Sequence, residues 1–457
     1  MMPADSQGRT VSFVTLGCKV NQYDTQAIRE RLLARGYREV PADRAADVCV
    51  INTCTVTAVS DSKSRKYIRR AARLNPHSVI VVTGCCVDSY ADLAGKLRGS
   101  VGEARLLLVP NDSKPQIAEL LEAGGQQGPA PTTEAGGRQG PVPAGEAGAE
   151  PGNSWSLGIS SLERHTRAFV KIQDGCNNFC SYCIVPHVRG RVRSRPLPSI
   201  VAEVERLVDA GCPEIVLTGI HVGQYGRETG GADLADVVET LGRLRGVVRL
   251  RLSSIEAMEV TDRLIELAAA GVLCPHFHLP LQSGSDRILQ LMNRRYTSRE
   301  FIGVVQRIAA RIDRPSITSD VMIGFPGETA ADFLATQETC RAAGFSRTHI
   351  FPFSPRPGTP AAAMPGRCSP GTLAGRKQQL QEIARETALA YRRRFIGERA
   401  DVLVEGDTDD TGLACGHTDR YIKVVLHGAG AAPGRCVAAR LTEIRRDGMH
   451  GEIEGVL

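Results

Sequence analysis

The stretch AFVKIQDGCNNFCSYCIVP, residues 168–186, joins a short apolar run to a polar loop that carries three cysteines. These are Cys176, Cys180 and Cys183, in a C-x3-C-x2-C spacing. Iron–sulfur clusters and structural zinc sites usually take four protein ligands. A polar loop with only three thiols therefore indicates a metal site whose fourth ligand comes from elsewhere.

The same strand-then-helix alternation continues after the loop. Six apolar runs are each followed by a helical pattern of apolar residues at three and four spacing. The predicted strands are 168–173, 214–219, 249–254, 276–281, 316–324 and 348–353. Six β/α units predict a barrel or partial barrel, in which reactive groups gather on the loops after the strands. The cysteine loop follows the first of these strands.

Upstream, three further apolar runs end at Cys18, Cys54 and Cys85. They alternate with helical patterns, which predicts βαβ units and a parallel, Rossmann-like sheet. Because the carboxyl ends of parallel strands lie at one edge of a sheet, we expect these three cysteines to converge there. They are more than thirty residues apart in sequence.

Changes in composition define the domain boundaries. Residues 122–157 are rich in Gly, Pro, Ala, Gln and Glu, and we interpret them as a flexible linker. From about residue 395 the pattern becomes short alternating runs, typical of a small antiparallel β-barrel. The predicted α/β chain thus has an N-terminal domain at 9–121, the linker, a central partial barrel at 158–392 and a terminal barrel at 395–457.

The overall composition excludes several classes of protein. The chain has 457 residues, of which 42% are hydrophobic and 23% charged, as in ordinary globular proteins. No apolar run approaches the roughly 18 residues of a membrane-spanning helix, and MMPADSQGRT at the start lacks the apolar core of a signal peptide. We therefore expect a cytoplasmic protein with no membrane partner, whose 14 cysteines serve metal binding, catalysis or packing.

Three motifs carry a resemblance to a known family: TLGCKVNQYDTQ (15–26), DGCNNFCSYCIVPHVRGRVRSRP (174–196) and HLPLQSGSDRILQLMNRRYT (278–297). They resemble the radical S-adenosylmethionine methylthiotransferases, and the C-terminal run resembles a TRAM domain, an RNA-binding module. The resemblance covers essentially the whole chain outside the linker. It implies an enzyme that inserts sulfur at an unactivated C–H bond, leaves a methylthio group, and uses two molecules of S-adenosylmethionine per product.

The resemblance also implies two 4Fe-4S clusters. The cysteines matching the family's radical motif, Cys176, Cys180 and Cys183, would bind three irons, and S-adenosylmethionine would chelate the fourth. Cys18, Cys54 and Cys85 would hold a second, auxiliary cluster that carries or delivers sulfur. Cys86 follows Cys85 directly and is an alternative ligand. An electron donor of flavodoxin or ferredoxin type and a sulfur source are implied as partners.

Contacts with S-adenosylmethionine are expected from residues that match the family's cofactor-binding regions. These are Tyr182, Gln282, Ser283, Gly324 and Gly327. No further catalytic side chain is assigned.

Basic runs with interleaved aromatic residues occur in every predicted domain. They are KSRKYIRRAAR (63–73), RGRVRSR (189–195), NRRY (293–296) and YRRRFIGER (391–399). Such runs fit phosphate contacts along a folded RNA. We therefore expect tRNA as the macromolecular partner.

Within the family, Lys19 and Val20 after the first cysteine favour the branch that modifies C2 of N6-threonylcarbamoyl-adenosine next to the tRNA anticodon. The alternatives are the isopentenyl-adenosine branch and the branch that modifies an aspartate of a ribosomal protein. A different class stays open: a non-catalytic RNA-binding protein with structural zinc, in which His187 would complete a Cys3His set.

Overall fold

The computed structural model describes residues 8–89, 97, 101, 105–123, 155, 157–160 and 166–457. The predicted linker lies outside the described residues except at 122–123, 155 and 157. The chain divides into two compact units, one formed by residues 1–159 with 183–191 and the other by residues 160–182 with 192–457. Within the described residues, no helix has the length and apolar character that crossing a membrane requires.

The first unit contains a five-stranded parallel sheet of order β2-β1-β3-β4-β5. Its strands are β1 Thr10–Thr15, β2 Arg38–Glu39, β3 Val48–Thr53, β4 Val79–Gly84 and β5 Arg105–Val109. Its helices are α1 Lys19–Ala34, α2 Ala58–Leu74, α3 Cys85–Ser89, α4 Ile117–Ala123 and α5 Val185–Arg189. The three central strands are the predicted ones, whereas β2 and β5 are too short or too weakly patterned to be recognised in the sequence.

The centre of this sheet explains why its strands are apolar throughout. All six residues of β3 are buried, because helices cover both faces of a parallel sheet. Ile51 and Ile80 pack with Ile68 of α2 in one core cluster, and Val50 and Val81 pack with Ile28 of α1 in another. The strand register is therefore determined by burial on two sides.

The second unit contains six parallel strands in two sheets, of order β10-β9-β6 and β11-β12-β13. The strands are β6 Ala168–Lys171, β9 Glu214–Thr218, β10 Arg249–Leu252, β11 His276–His278, β12 Ser316–Ile323 and β13 Arg347–Pro352, and β7 Gln173–Asp174 pairs with β8 Arg193–Ser194 beside them. A parallel bridge between Ser254 and His278 joins the two sheets. The predicted partial barrel of six β/α units is confirmed.

Helices connect these strands at the positions that the apolar periodicity predicts. They are α6 Leu197–Asp209, α7 Leu234–Gly242, α8 Asp262–Ala269, α9 Asp286–Leu291, α10 Ser298–Arg311, α11 Ala330–Ala343, α12 Pro360–Ala363 and α13 Pro370–Arg393. In α11, Thr329 and Asp332 form a capping box at the first turn, and Gly344 ends the helix with a φ of 60°.

The terminal barrel is closed, with strand order β14-β15-β16-β18-β17. The strands are β14 Arg399–Thr408, β15 Ala414–Thr418, β16 Lys423–His427, β17 Cys436–Ile444 and β18 Met449–Val456. Four of them match the alternating runs of the sequence. The fifth, β15, reads ACGHT and was not predicted, because it lacks the β-branched alternation that indicates a strand.

A buried charge cluster joins the terminal barrel to the central one within the second unit. Glu214 is fully buried and receives a hydrogen bond of 2.8 Å from Arg251. The same guanidinium donates to the carbonyl oxygen of Asp419 at 2.7 Å, and Arg249 donates to that of Asp401 at 2.6 Å. Burial alone would raise the pKa of Glu214, but the neighbouring guanidiniums hold it below its usual value.

We expect Glu214→Gln to lower the melting temperature of the protein measured by scanning calorimetry. The substitution leaves buried guanidiniums without their carboxylate, which costs about 3–5 kcal/mol. Glu239→Gln is the matched control, because Glu239 pairs with the partly exposed Arg263 on the protein surface. Equal melting temperatures for both variants would contradict the structural role of Glu214.

Candidate metal centres

Cys18, Cys54 and Cys85, here called the N-terminal trio, lie at the carboxyl edge of the first sheet. Cys18 is the N-cap of α1, Cys54 follows β3 directly, and Cys85 begins α3. Burial raises the pKa of the Cys54 thiol to about 11, and the nearby thiols of Cys85 and Cys18 add to this shift. The three sulfur atoms are therefore electrostatic neighbours.

Gly17 allows this close approach. Its φ is 102°, and a Cβ at this position would lie 2.9 Å from Sγ of Cys54. Only glycine adopts this positive φ readily and has no side chain to collide with Cys54.

The structure distinguishes Cys85 from Cys86. Cys86 is 1% exposed and packs in the core cluster that contains Ile51 and Ile80. Cys85 instead contacts Ile184 and Val188 near α5. The side chain of Cys86 is thus part of the hydrophobic core, and the geometry favours Cys85 as the third member of the trio.

A buried polar network, absent from the sequence-based prediction, ties the loops of the trio together. The amide of Asn21 donates to the carbonyl oxygens of Leu16 at 2.7 Å and Thr53 at 3.0 Å. The hydroxyl of Thr53 donates to the carbonyl of Thr83 at 2.6 Å. These bonds link the ends of β1, β3 and β4, immediately next to the cysteines. An asparagine and a threonine beside cysteines at strand ends were the available signal.

Cys176 and Cys180 lie in the loop after β7, which is anchored to the end of α9. Ser181 donates from its backbone to Met292 at 3.0 Å and from its hydroxyl to Leu291 at 2.7 Å. Burial raises the pKa of the Cys180 thiol, and Cys176 contributes as a neighbouring thiol. Cys183 is half-buried and begins the stretch 183–191 that belongs to the first unit.

Two side chains contact these sulfur atoms: His221, which the sequence-based prediction left unassigned, and Arg294, which it placed in a run expected to contact RNA phosphates. Nδ1 of His221 lies 3.4 Å from Sγ of Cys176, and Nη1 of Arg294 lies 3.7 Å from Sγ of Cys180. Burial opposes protonation of His221, but its contacts with Cys176 and Glu259 raise its pKa to about 10. His221 lies in the loop after β9 and Arg294 lies between α9 and α10, so sequence spacing could not connect them to the cysteines.

The residues expected to contact S-adenosylmethionine occupy different environments. Gln282 has a φ of 63°, and its side-chain oxygen is buried without a hydrogen-bond partner. Tyr182 packs in the cluster of Met322 and Phe325. Ser283 is fully buried and lies within hydrogen-bond distance of the Thr336 hydroxyl.

The two predicted glycines differ in the space around them. A Cβ at Gly324 would lie 2.1 Å from Leu373, whereas a Cβ at Gly327 would meet no atom within 4 Å. Gln282 and Tyr182 therefore offer the groups best suited to a ligand, while Ser283 and Gly324 are used in packing.

His278, Asp320 and His349, here called the charged layer, lie together on the sheet formed by β11, β12 and β13. Asp320 is 3.3 Å from both His278 and His349. Burial alone would raise the pKa of Asp320, but the two imidazoles lower it, and the carboxylate raises the pKa of His349. Met322 lies two residues further along β12 on the same face.

The basic runs divide into buried and exposed arginines. Arg189 donates to Asn21 at 2.6 Å, Arg195 pairs with Glu203, and Arg294 pairs with Glu256, so these guanidiniums are used within the protein. In contrast, α2 exposes a series of cations along its length: Lys63, Lys66, Arg69, Arg70 and Arg73.

Across the described residues, no group of three or more His, Cys, Asp or Glu side chains is arranged to hold a metal ion. The thiols of each set would bind different irons of one cluster, which does not require them to meet at a single ion.

Comparison with known protein families gives three matches along the chain. The Radical SAM superfamily model matches residues 170–340, the model named Uncharacterized protein family UPF0004 matches residues 10–102, and the TRAM domain model matches residues 393–453.

Two relatives align over almost the entire chain. A Bacillus subtilis protein named threonylcarbamoyladenosine tRNA methylthiotransferase MtaB is 36% identical over 94% of this chain and 93% of its own length. A Moorella thermoacetica protein named tRNA-2-methylthio-N(6)-dimethylallyladenosine synthase is 34% identical over 97% and 98%.

Among solved structures, the radical S-adenosylmethionine methyltransferase TsrM from Kitasatospora setae superposes with a TM-score of 0.54. It covers 78% of this chain and 74% of TsrM, with 17% sequence identity. This likeness concerns the fold alone.

We expect Gly17→Ala to reduce the iron and sulfide that the protein retains after anaerobic reconstitution. The added methyl would displace the Cys54 thiol and disperse the N-terminal trio, so retained iron should fall by about half while the loop cysteines remain loaded. Gly211→Ala is the control, because Gly211 also has a positive φ, of 81°, but faces open space. Equal iron contents in the two variants would contradict the geometry of the trio.

Proposed function

The chain belongs to the radical S-adenosylmethionine methylthiotransferases, and we propose that it adds a methylthio group to C2 of N6-threonylcarbamoyl-adenosine next to the tRNA anticodon. The similarity to an MtaB protein over 94% of the chain supports this substrate. The identity to a dimethylallyladenosine synthase is 34%, close to the 36% for the MtaB protein, so sequence identity alone does not distinguish the two substrates.

The charged layer of His278, Asp320 and His349 is the observation that carries the choice of substrate. A threonylcarbamoyl group bears a carboxylate, a hydroxyl and a carbamoyl, whereas an isopentenyl group is wholly apolar. An apolar group packed against this layer would exclude water from its polar atoms without offering them a hydrogen bond, which is costly. The layer shares its face with Met322 and Phe351, which pack with Tyr182 beside the cluster loop.

Both sets of cysteines suit iron–sulfur clusters by the chemistry of their donors. Thiolate sulfur is the usual protein ligand of such clusters, and each set offers three. We infer that Cys176, Cys180 and Cys183 hold the cluster that S-adenosylmethionine completes, and that Cys18, Cys54 and Cys85 hold the auxiliary cluster. When bound, these cofactors supply the electron transfer, radical and sulfur chemistry, while the chain positions them.

The chain's own polar groups account for part of that positioning. The buried Oε1 of Gln282 lacks a partner among the described residues and can accept a hydrogen bond from S-adenosylmethionine. Tyr182 supplies an aromatic and backbone surface one residue before Cys183. An external electron donor and a sulfur source complete the proposal, and we place the reaction in the cytoplasm with its tRNA substrate.

The exposed cations of α2 support tRNA as the partner. Lys63, Lys66 and Arg70 follow one another at three and four spacing, which places them on one side of the helix. Such a row can contact successive phosphates. The TRAM match at residues 393–453 supports the same partner.

Mass spectrometry of tRNA nucleosides from a strain that lacks this protein tests the proposed substrate. We expect 2-methylthio-N6-threonylcarbamoyl-adenosine to disappear, unmodified threonylcarbamoyl-adenosine to accumulate, and plasmid-borne wild type to restore the product. Loss of a methylthiolated isopentenyl-adenosine instead would favour the other tRNA branch. Colourless, zinc-loaded protein after anaerobic purification would favour the non-catalytic alternative.

We expect His349→Leu to lower methylthiolation of threonylcarbamoyl-adenosine tRNA by about tenfold or more, because a charged hydrogen bond contributes about 1.5–3 kcal/mol. Cleavage of S-adenosylmethionine without substrate should remain measurable by chromatography, since His349 does not contact the cluster cysteines. Arg243→Leu, which removes an exposed cation after α7, is the control. An unchanged product yield for His349→Leu would remove the charged layer from substrate recognition.

A further inference from the structure

Cys176 and Cys180 each have a side-chain nitrogen at their sulfur atom. His221 reaches Sγ of Cys176 through Nδ1 at 3.4 Å, and Arg294 reaches Sγ of Cys180 through Nη1 at 3.7 Å. Both distances lie within the range of N–H···S hydrogen bonds, in which sulfur is a weak acceptor that a negative charge strengthens. The contacts are side chain to side chain and join separate loops of the central barrel.

A carboxylate lies close behind each donor. Nε2 of His221 lies 2.9 Å from Oε2 of Glu259, as an ion pair, and Nη1 of Arg294 donates to Oε1 of Glu256 at 2.8 Å. Glu256 and Glu259 are three residues apart: Glu256 is the N-cap of the short 3-10 helix after β10, and Glu259 is its last residue. One segment therefore orients both donors, as carboxylates orient the histidines that bind metals.

The surroundings of His221 leave little freedom for any other orientation. Its backbone N–H donates to the buried Gln173 at 2.7 Å, and its side chain is 4% exposed. A side chain at position 223 would collide with Glu259, because a Cβ there would lie 2.0 Å from Oε2; Gly223 avoids this collision. The loop after β9 is thus shaped around the carboxylate that holds the imidazole.

The N-terminal trio has a different environment. Sγ of Cys54 accepts from the backbone N–H of Val56 at 3.5 Å. In the part of the chain that the structure describes, no guanidinium or imidazole nitrogen hydrogen-bonds to a sulfur atom of that trio. The loop cysteines Cys176 and Cys180 thus differ from the N-terminal trio in having side-chain nitrogen donors at their sulfur atoms.

We propose that His221 and Arg294 are positioning residues that donate N–H···S hydrogen bonds to the thiolates of Cys176 and Cys180 and thereby raise the reduction potential of the cluster bound there. Glu259 and Glu256 hold the two donors in place. Adding an electron increases the negative charge on the cluster and its sulfur ligands, so hydrogen bonds to those ligands stabilise the reduced form more than the oxidised form. The proposal rests on the proposed function, since it requires a cluster at these cysteines.

The test is an EPR-monitored redox titration of full-length, anaerobically reconstituted protein in which Cys18, Cys54 and Cys85 are replaced by Ala. Only the loop cluster then contributes a signal. We expect His221→Phe and Arg294→Met each to shift the midpoint potential to a more negative value by about 59 mV or more, which is a tenfold change in a one-electron equilibrium. His221→Asn and Arg294→Lys, which keep a donor, should shift it less.

Two matched variants control for general effects. His417→Phe removes a half-buried histidine that also pairs with a carboxylate, Glu405, and Arg376→Met removes an arginine that contacts Glu328 and the sulfur of Cys368. Neither contacts a cluster cysteine, so both should leave the potential unchanged. Full iron content with an unshifted potential in His221→Phe and Arg294→Met would overturn the proposal.

A second measurement keeps His221 in place, so its result does not depend on whether a substituted protein folds. After labelling with [15N]histidine, HYSCORE spectra of the reduced loop cluster should show a coupling to 15N, and its absence would overturn the role of His221. Iron analysis distinguishes failure of the proposed function from failure of the donor role alone. A chain that binds no iron at the loop cysteines would contradict the proposed function itself, whereas a loaded chain without the coupling or the shift contradicts only the donor role.

Discussion

Parallel strand pairing is the constraint on which both cysteine sites depend. In the first sheet, the ladder that joins β1, β3 and β4 aligns three strand ends and so places Cys18, Cys54 and Cys85 at one edge. In the second unit, parallel pairing places the loops after β9 and β10 at a common edge with the loop that bears Cys176. A right-handed crossover between parallel strands makes this outcome general. Reactive side chains lie at the carboxyl edge because the loops that follow parallel strands all begin there.

Buried polar groups near the cysteines form a second level of organisation. Asn21 and Thr53 hold the loops of the N-terminal trio, and the pairs His221–Glu259 and Arg294–Glu256 surround the loop cysteines. Burying such groups is costly unless each finds a partner, so they are concentrated where they orient a ligand. The Glu214 cluster has a different role, since it joins the two barrels through backbone carbonyls of the terminal one.

Much of the fold was predictable because several of its strands are apolar runs rich in β-branched residues. VCVINT and SITSDVMI are buried runs bounded by turns, and helical periodicity lies between such runs. The strand β15 escaped prediction since ACGHT lacks the alternation of β-branched residues that indicates a strand. The basic runs were harder to interpret. Nothing in RGRVRSR separates the buried Arg189 and Arg195 from the exposed Arg191, because burial depends on which carboxylate or amide lies opposite.

By itself, the sequence determined the kind of chemistry: three cysteines in a polar loop, three more at strand ends, and alternation that builds parallel sheets. The spacing of cysteines can be read directly from the sequence, and their ability to bind metal as thiolates follows from the residue type. Only the tertiary structure showed that Cys86 packs in the hydrophobic core, and which donors reach the sulfur atoms of Cys176 and Cys180. The physical reason is that hydrogen bonds and ion pairs act over a few ångströms in space, between residues such as His221 and Cys176 that lie far apart along the chain.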